Sequence, residues 1–124
     1  MTIKELYEQI GGDYEQAMRV LRVEKLMDKH IRKLPKGGVV DVLLEAGNSM
    51  DSTRLFEAAH AVKGVCGNLG LMKLSGAASE ITEEFRPGNE RRLSDAEVKE
   101  KLAAIAALYQ QTKDGIARYE AETA

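Results

Sequence analysis

A single cysteine, Cys66, stands in this chain, and tryptophan is missing altogether. With no second cysteine no disulfide can close within the chain, and two histidines thirty positions apart with one cysteine do not have the spacing of a metal site. Aromatic residues make up only 5%, and the abundance of Ala, Leu, Glu and Lys favours helices over a sheet. Charge of neither sign accumulates: 18 basic against 20 acidic residues leave a formal net charge of −2, and without a basic block a nucleic-acid footprint is excluded. No stretch approaches the roughly 20 apolar residues of a membrane span, and Met1-Thr2-Ile3-Lys4-Glu5-Leu6 lacks the apolar run of a signal peptide. A cytoplasmic protein is expected, and the opening methionine leads us to expect a complete, free-standing product. Serine nucleophile elbows, phosphate-binding loops and dinucleotide fingerprints are absent. No ATP-binding domain is present either, so the chain is not expected to phosphorylate itself from ATP.

What is there suits one small helical domain spanning residues 1–124, since 44% hydrophobic residues suffice for a single core. A first amphipathic segment, Ile3 to Ile10, stops at Gly11-Gly12, and Asp13 offers an N-cap with Gln16 three residues on. Ala17, Val20, Val23, Met27, Ile31 and Leu34 then recur at threes and fours and predict one long helix, broken by Pro35-Lys36-Gly37-Gly38. His30, one turn from both Met27 and Leu34, reads as a core-boundary residue. A shorter helix is expected from about Val39 to Ala46, closed by Gly47-Asn48-Ser49. Asp51 or Ser52 caps the next helix, about 51–69. Leu71, Leu74, Ala78, Ile81 and Phe85 mark another, up to the loop Pro87-Gly88-Asn89. Ser94-Asp95-Ala96-Glu97 has the form of a capping box and starts a last helix with Val98, Leu102, Ile105, Tyr109, Thr112, Ile116 and Tyr119 along one side. The pattern predicts an all-α antiparallel four-helix bundle with short additional helices near the N-terminus.

One helix carries a residue on the wrong face for a core. At about 100° per residue, Leu55, Ala59, Val62, Cys66 and Leu69 form an apolar stripe, and His60 lies about 140° away from it. Gly64 falls about 180° and Gly67 about 120° from the stripe, with Phe56 and Lys63 on its flank. Two glycines inside a helix together cost on the order of 2 kcal/mol of helix stability. Because the wheel sets them opposite the stripe, their expected use is an external partner, whose backbone can approach a histidine over a bare floor.

In His60, Lys63, Gly64, Gly67, Asn68, Leu69 and Gly70, preceded by Leu55, Phe56, Ala58 and Ala59, the chain resembles the histidine-containing phosphotransfer family, the HPt domains. Val65-Cys66 departs from the small Ser or Ala more usual there, but Cys66 is of similar size and faces inward. The resemblance implies a four-helix bundle and a shuttle in a multistep phosphorelay, in which His60 receives a phosphoryl group from the aspartyl phosphate of one receiver domain and passes it to the aspartate of another. It implies as partners the receivers of a hybrid histidine kinase or a response regulator, a monomeric carrier, and no cofactor of its own, the magnesium ion coming with the receiver.

The residue types suit such a role. An exposed imidazole has an ordinary pKa near 6.5 and keeps a nucleophilic lone pair at neutral pH. Lys63, at i+3, is a candidate to offset phosphoryl charge, with a plain solvated lysine as its alternative. Gly64 and Gly67 would keep the approach open. Phe56 suits either an apolar docking patch or the edge of the core, and Asn68 either orients the ring or solvates its far side. Such a protein is a phosphotransfer intermediate, an enzyme only in a loose sense. A non-catalytic bundle that docks on a receiver or kinase and regulates it is the competing reading, because it would share the same surface. A bundle used only to oligomerise leaves the glycine face without a purpose.

Overall fold

The computed structural model describes residues 1–123. Among them seven helices follow one another: α1 (Ile3–Ile10), α2 (Tyr14–Leu21), α3 (Glu24–Gly37), α4 (Val39–Ser49), α5 (Ser52–Asn68), α6 (Met72–Phe85) and α7 (Asp95–Thr123). Helices α4 to α7 pack each against the next, and α4 also touches α7, which closes a four-helix ring. The links Met50-Asp51 and Leu69 to Leu71 are too short for anything but a reversal of direction between packed neighbours. Helix α1 lies on α7, α2 on α5, and α3 against both α7 and α4. No helix among the described residues is long and apolar enough to cross a membrane.

Local signals place most of the helix ends. Asp13 accepts from the Gln16 N–H at 3.0 Å and Asp51 from the Arg54 N–H at 3.0 Å. Ser94 and Glu97 form the expected capping box, each side chain accepting from the other's backbone N–H. All seven residues expected along one side of the last helix, from Val98 to Tyr119, are buried. On α6 Leu74, Ala78, Ile81 and Phe85 are buried too.

Three expectations about the first half of the chain need correction. The long helix predicted from Asp13 to Leu34 is two helices: Arg22 turns left-handed at φ 72°, and Val20 and Val23 lie exposed at the corner instead of in the core. Their periodicity was compatible with continuation, but burying Ala17 against α5 and Met27, Ile31 and Leu34 elsewhere requires a change of direction. Pro35 does not end α3, which runs on to Gly37 before Gly38 goes left-handed. Leu34 is buried, and packing of that last turn offsets the one backbone bond that a proline removes. Gly47 does not close α4 either; the helix runs to Ser49 and Gly47 is buried within it. A Cβ there would run into Leu102, so this glycine sets the close approach of α4 to α7.

The end of α5 is held by the N-terminal helices. The buried Tyr7 hydroxyl donates to the Leu69 carbonyl at 2.7 Å, and the Asp13 N–H donates to the Gly70 carbonyl at 2.7 Å. Burial pushes the Tyr7 phenol well above its ordinary pKa, so it stays a donor. Gly70 has φ +73°, and a Cβ on it would overlap the Asp13 carbonyl and press on Ala17. At the opposite end, Glu84 is buried and its carboxylate gathers the backbone N–H groups of Arg92 and Leu93 and the Arg91 side chain, which ties down the loop before α7. Burial opposes its ionisation, yet the bonds from Leu93, Arg91 and Arg92 outweigh this and hold the carboxyl below the usual range.

Gly70→Ala should destabilise the domain by about 2 kcal/mol or more in urea unfolding, the sum of a left-handed alanine and an overpacked contact. Because the folded-state pKa of Glu84 is depressed, its contribution is present above the ordinary carboxylate pKa and is lost as pH falls through the lower folded value. Glu84→Gln should therefore lower the urea midpoint at pH 7 and lose a part of the fall in stability between about pH 5 and pH 3 that the unaltered protein shows.

Candidate functional site

The phase of α5 is set by its inner side, where Leu55, Ala59, Val62 and Cys66 are fully buried. Cys66 is thereby a packing residue, and burial pushes its thiol up to about 12. The turn of the helix that hides these residues leaves His60 exposed, as the wheel predicted. Its ring is met edge-on by half-buried Phe56, with centroids 5.8 Å apart and planes at 76°, an arrangement in which the positive edge of one ring faces the π-cloud of the other. Phe56 also packs against the core cluster, which is what its reading as an edge-of-core residue expected.

Lys63 is half-buried on the same flank of α5, and Gly64 is exposed with open space where a Cβ would stand. Next to His60 the helix surface is therefore bare backbone. Gly67 is different. A Cβ there would lie 3.3 Å from the Ser75 Oγ of α6, and that hydroxyl donates to the Lys63 carbonyl at 3.0 Å. The open floor expected at both glycines is present at Gly64 and is corrected at Gly67, where the missing side chain lets α6 come close. The wheel misled here because α6 covers more of the α5 flank than the apolar stripe alone marks out.

Asn68 is exposed but stands more than two turns beyond His60, about 12 Å along the axis. At that distance it cannot orient the ring. It lines instead a cavity of about 350 Å³ between the far end of α5 and helices α2 to α4, together with His30, Leu34, Val39 and Val65. His30 is exposed on the rim of this cavity, not at the edge of the core. Helix α3 buries only Met27, Ile31 and Leu34, an arc too narrow to take in its neighbour.

Two residues near the ring escaped the linear motif because they come from α6. Arg86, the C-cap of that helix, holds its guanidinium 5.3 Å from the Phe56 ring centroid, within the range of a cation–π contact. Its Nη2 donates to the Glu83 carboxylate at 2.8 Å. The i, i+3 spacing of Glu83 and Arg86 is visible in the sequence as a helical pair, but nothing in it announces that the pair sits beside His60. That juxtaposition follows from α6 folding back along α5. Phe56, His60, Lys63, Gly64, Glu83 and Arg86 thus form one surface: an exposed imidazole, two cations and a carboxylate, with one side open.

A family model described as Hpt domain matches residues 24–115, which takes in α3 to α6 and most of α7 and leaves α1 and α2 outside. No curated protein and no solved structure matches the chain.

Substitutions should separate the two glycines. Gly64→Ala is expected to raise stability by about 0.5–1 kcal/mol, because the methyl meets nothing and helix propensity improves. Gly67→Ala should give no gain or a loss, because the Ser75 hydroxyl in its way is tied to the Lys63 carbonyl. Paired urea curves measure both, and equal gains would overturn the assignment of Gly67 to the α5–α6 contact.

Proposed function

Since the chain belongs to the Hpt domain family, whose role is phosphotransfer in two-component signalling, we propose that it shuttles a phosphoryl group between receiver aspartates through His60. The observation that carries this reading is the exposed His60 ring beside the empty space at Gly64. In the step proposed, the unprotonated ring nitrogen forms a bond to phosphorus while the bond from phosphorus to the aspartyl oxygen breaks. The aspartate leaves as a carboxylate with the bonding electrons, and onward transfer is the same exchange in reverse. A loose transition state of this kind needs little beyond alignment and compensation of charge. Open backbone at Gly64 lets a receiver bring its aspartyl phosphate in line with the ring, and Lys63 supplies positive charge for the equatorial oxygens.

The divalent cation used in such transfer belongs in this scheme to the receiver, with its acidic pocket. The partners are accordingly receivers of a hybrid histidine kinase or a response regulator. The reading also takes the protein to be a monomer acting in the cytoplasm. Phe56 contributes an apolar margin to the docking face, and its contact with His60 limits the orientations the ring explores.

Incubation with a receiver already phosphorylated on aspartate should move label to this chain, stable in base and labile in acid. His60→Gln, shown to be folded by circular dichroism, should take none. Gly64→Gln should slow transfer about tenfold or more, because a side chain now stands in the approach and small misplacements are costly, while stability stays level or rises slightly. No label from several receivers that nonetheless bind would instead favour an adaptor that regulates its partner by docking alone.

A further inference from the structure

One carboxylate at this surface has no part in the transfer just described. Glu83 accepts from Arg86 through Nε at 3.2 and 3.1 Å and through Nη2 at 2.8 Å. The same guanidinium lies over Phe56 at 5.3 Å, and Phe56 meets His60 at 5.8 Å, so the ion pair is joined to the imidazole through a single ring. Lys63 approaches from the other helix. Side chains on a helix lean toward its N-terminus, and α5 and α6 run in opposite directions. Lys63 therefore leans toward the Phe56 end of α5, and Glu83 leans back along α6 in the direction of Ser79, so that the two converge at the level of His60. The Glu83 carboxyl is held below the usual carboxylate range by its hydrogen bonds to Arg86 first, with the charges of Arg86 and Lys63 adding to them. The other carboxylates of α6 are engaged elsewhere, Glu84 with the loop before α7 and Glu80 with Lys101 at 3.0 Å.

We propose that Glu83 is the counter-charge that sets how firmly a phosphoryl group is held at His60, by competing with it for Arg86 and Lys63. The proposal rests on the phosphotransfer reading and deepens it. In the unphosphorylated protein Arg86 is already paired with this carboxylate, and Lys63 adds its charge from the other helix without a direct ion pair to it. When the bond between the ring nitrogen and phosphorus forms, the phosphoryl oxygens bring new negative charge beside that carboxylate, and each cation must divide itself between the two. Held by both cations alone, phosphohistidine would be favoured over the receiver's aspartyl phosphate, and onward transfer would suffer. With Glu83 in place the grip is weakened, which keeps the exchange close to balance and the carrier able to unload.

The test is the position of that balance. Protein and a single receiver are brought to equilibrium with a fixed amount of label, and the ratio of phosphohistidine to aspartyl phosphate is measured for the unaltered protein, Glu83→Gln, Glu83→Asp and Arg86→Gln. In Glu83→Gln the ratio should rise about fivefold or more, since two cations turn wholly to the phosphoryl group. In Arg86→Gln it should fall by a similar factor, and Glu83→Asp should stay near the unaltered value. Because the groups are exposed, both shifts should shrink in about 1 M salt. A merely structural role at the end of α6 predicts something different, with both variants moving the ratio the same way or changing only thermal stability. That outcome, or a ratio unmoved within about twofold in Glu83→Gln, overturns the proposal. Loading the protein with phosphoramidate, a small-molecule phosphoryl donor, separates this failure from that of the underlying reading. If His60 accepts label from neither phosphoramidate nor receivers, phosphotransfer itself falls; if it accepts label and Glu83→Gln changes nothing, only the counter-charge does.

Discussion

The close contact between α5 and α6 is the constraint on which the rest depends. It is made where Gly67 presents no side chain, and it is pinned by the Ser75 hydroxyl on the Lys63 carbonyl. An extra acceptor bond on a mid-helix carbonyl does little for α5 as a helix. It fixes the rotation and height of α5 against its neighbour, and with them the direction in which His60 points. Burial of Leu55, Ala59, Val62 and Cys66 supplies the driving force; at about 25 cal/mol per Å² of apolar surface removed from water, such a stripe outweighs the helix propensity given up at two glycines. The same contact carries α6 back along α5 far enough for Arg86 to reach Phe56. An imidazole placed by packing on one side of a helix thereby acquires its electrostatic surroundings from a second helix.

The outer end of the motif helix is secured in another way. Helices α1 and α2 lie outside the part of the chain matched by the family model, yet they supply the Tyr7 hydroxyl to the Leu69 carbonyl and the Asp13 N–H to the Gly70 carbonyl. The last carbonyls of a helix have no partners within it. Here the turn that leaves α5 takes bonds from a segment far away in sequence, and the one from Tyr7 is buried. The N-terminal helices are in this sense part of the frame that holds the site.

A surface of this kind asks little of the protein in covalent terms. The imidazole has no hydrogen-bond partner among the described residues, the approach at Gly64 is left open, and the charges beside it are the ends of long side chains. Positioning and charge compensation suffice for a reaction whose transition state is loose. A carrier also has to release what it takes, which sets an upper limit on useful stabilisation. In the proposed scheme the pairing of Glu83 with Arg86 is what meets that need, through surface electrostatics in which each contact is individually weak and open to screening by salt.

Much of this was legible from residue order. The period of the apolar stripe on α5 put His60 outside and Cys66 inside, the capping residues Asp13, Asp51 and Ser94 gave helix starts, and the run from Val98 to Tyr119 foretold the buried side of α7, because each of these depends on the geometry of one helix alone. The break at Arg22, the passage of α3 through Pro35 and of α4 through Gly47, the exposure of His30 and the burial of the Gly67 face were not legible. At Arg22, Pro35, Gly47 and Gly67 packing between elements remote in sequence overrides a local preference of about 1 to 3 kcal/mol, and His30 is exposed because α3 buries only the narrow arc of Met27, Ile31 and Leu34. Arg86 and Glu83 belong to this second group as well: the spacing of one helix placed His60 and Lys63, whereas Glu83 and Arg86 were brought beside them by how a second helix lies against the first.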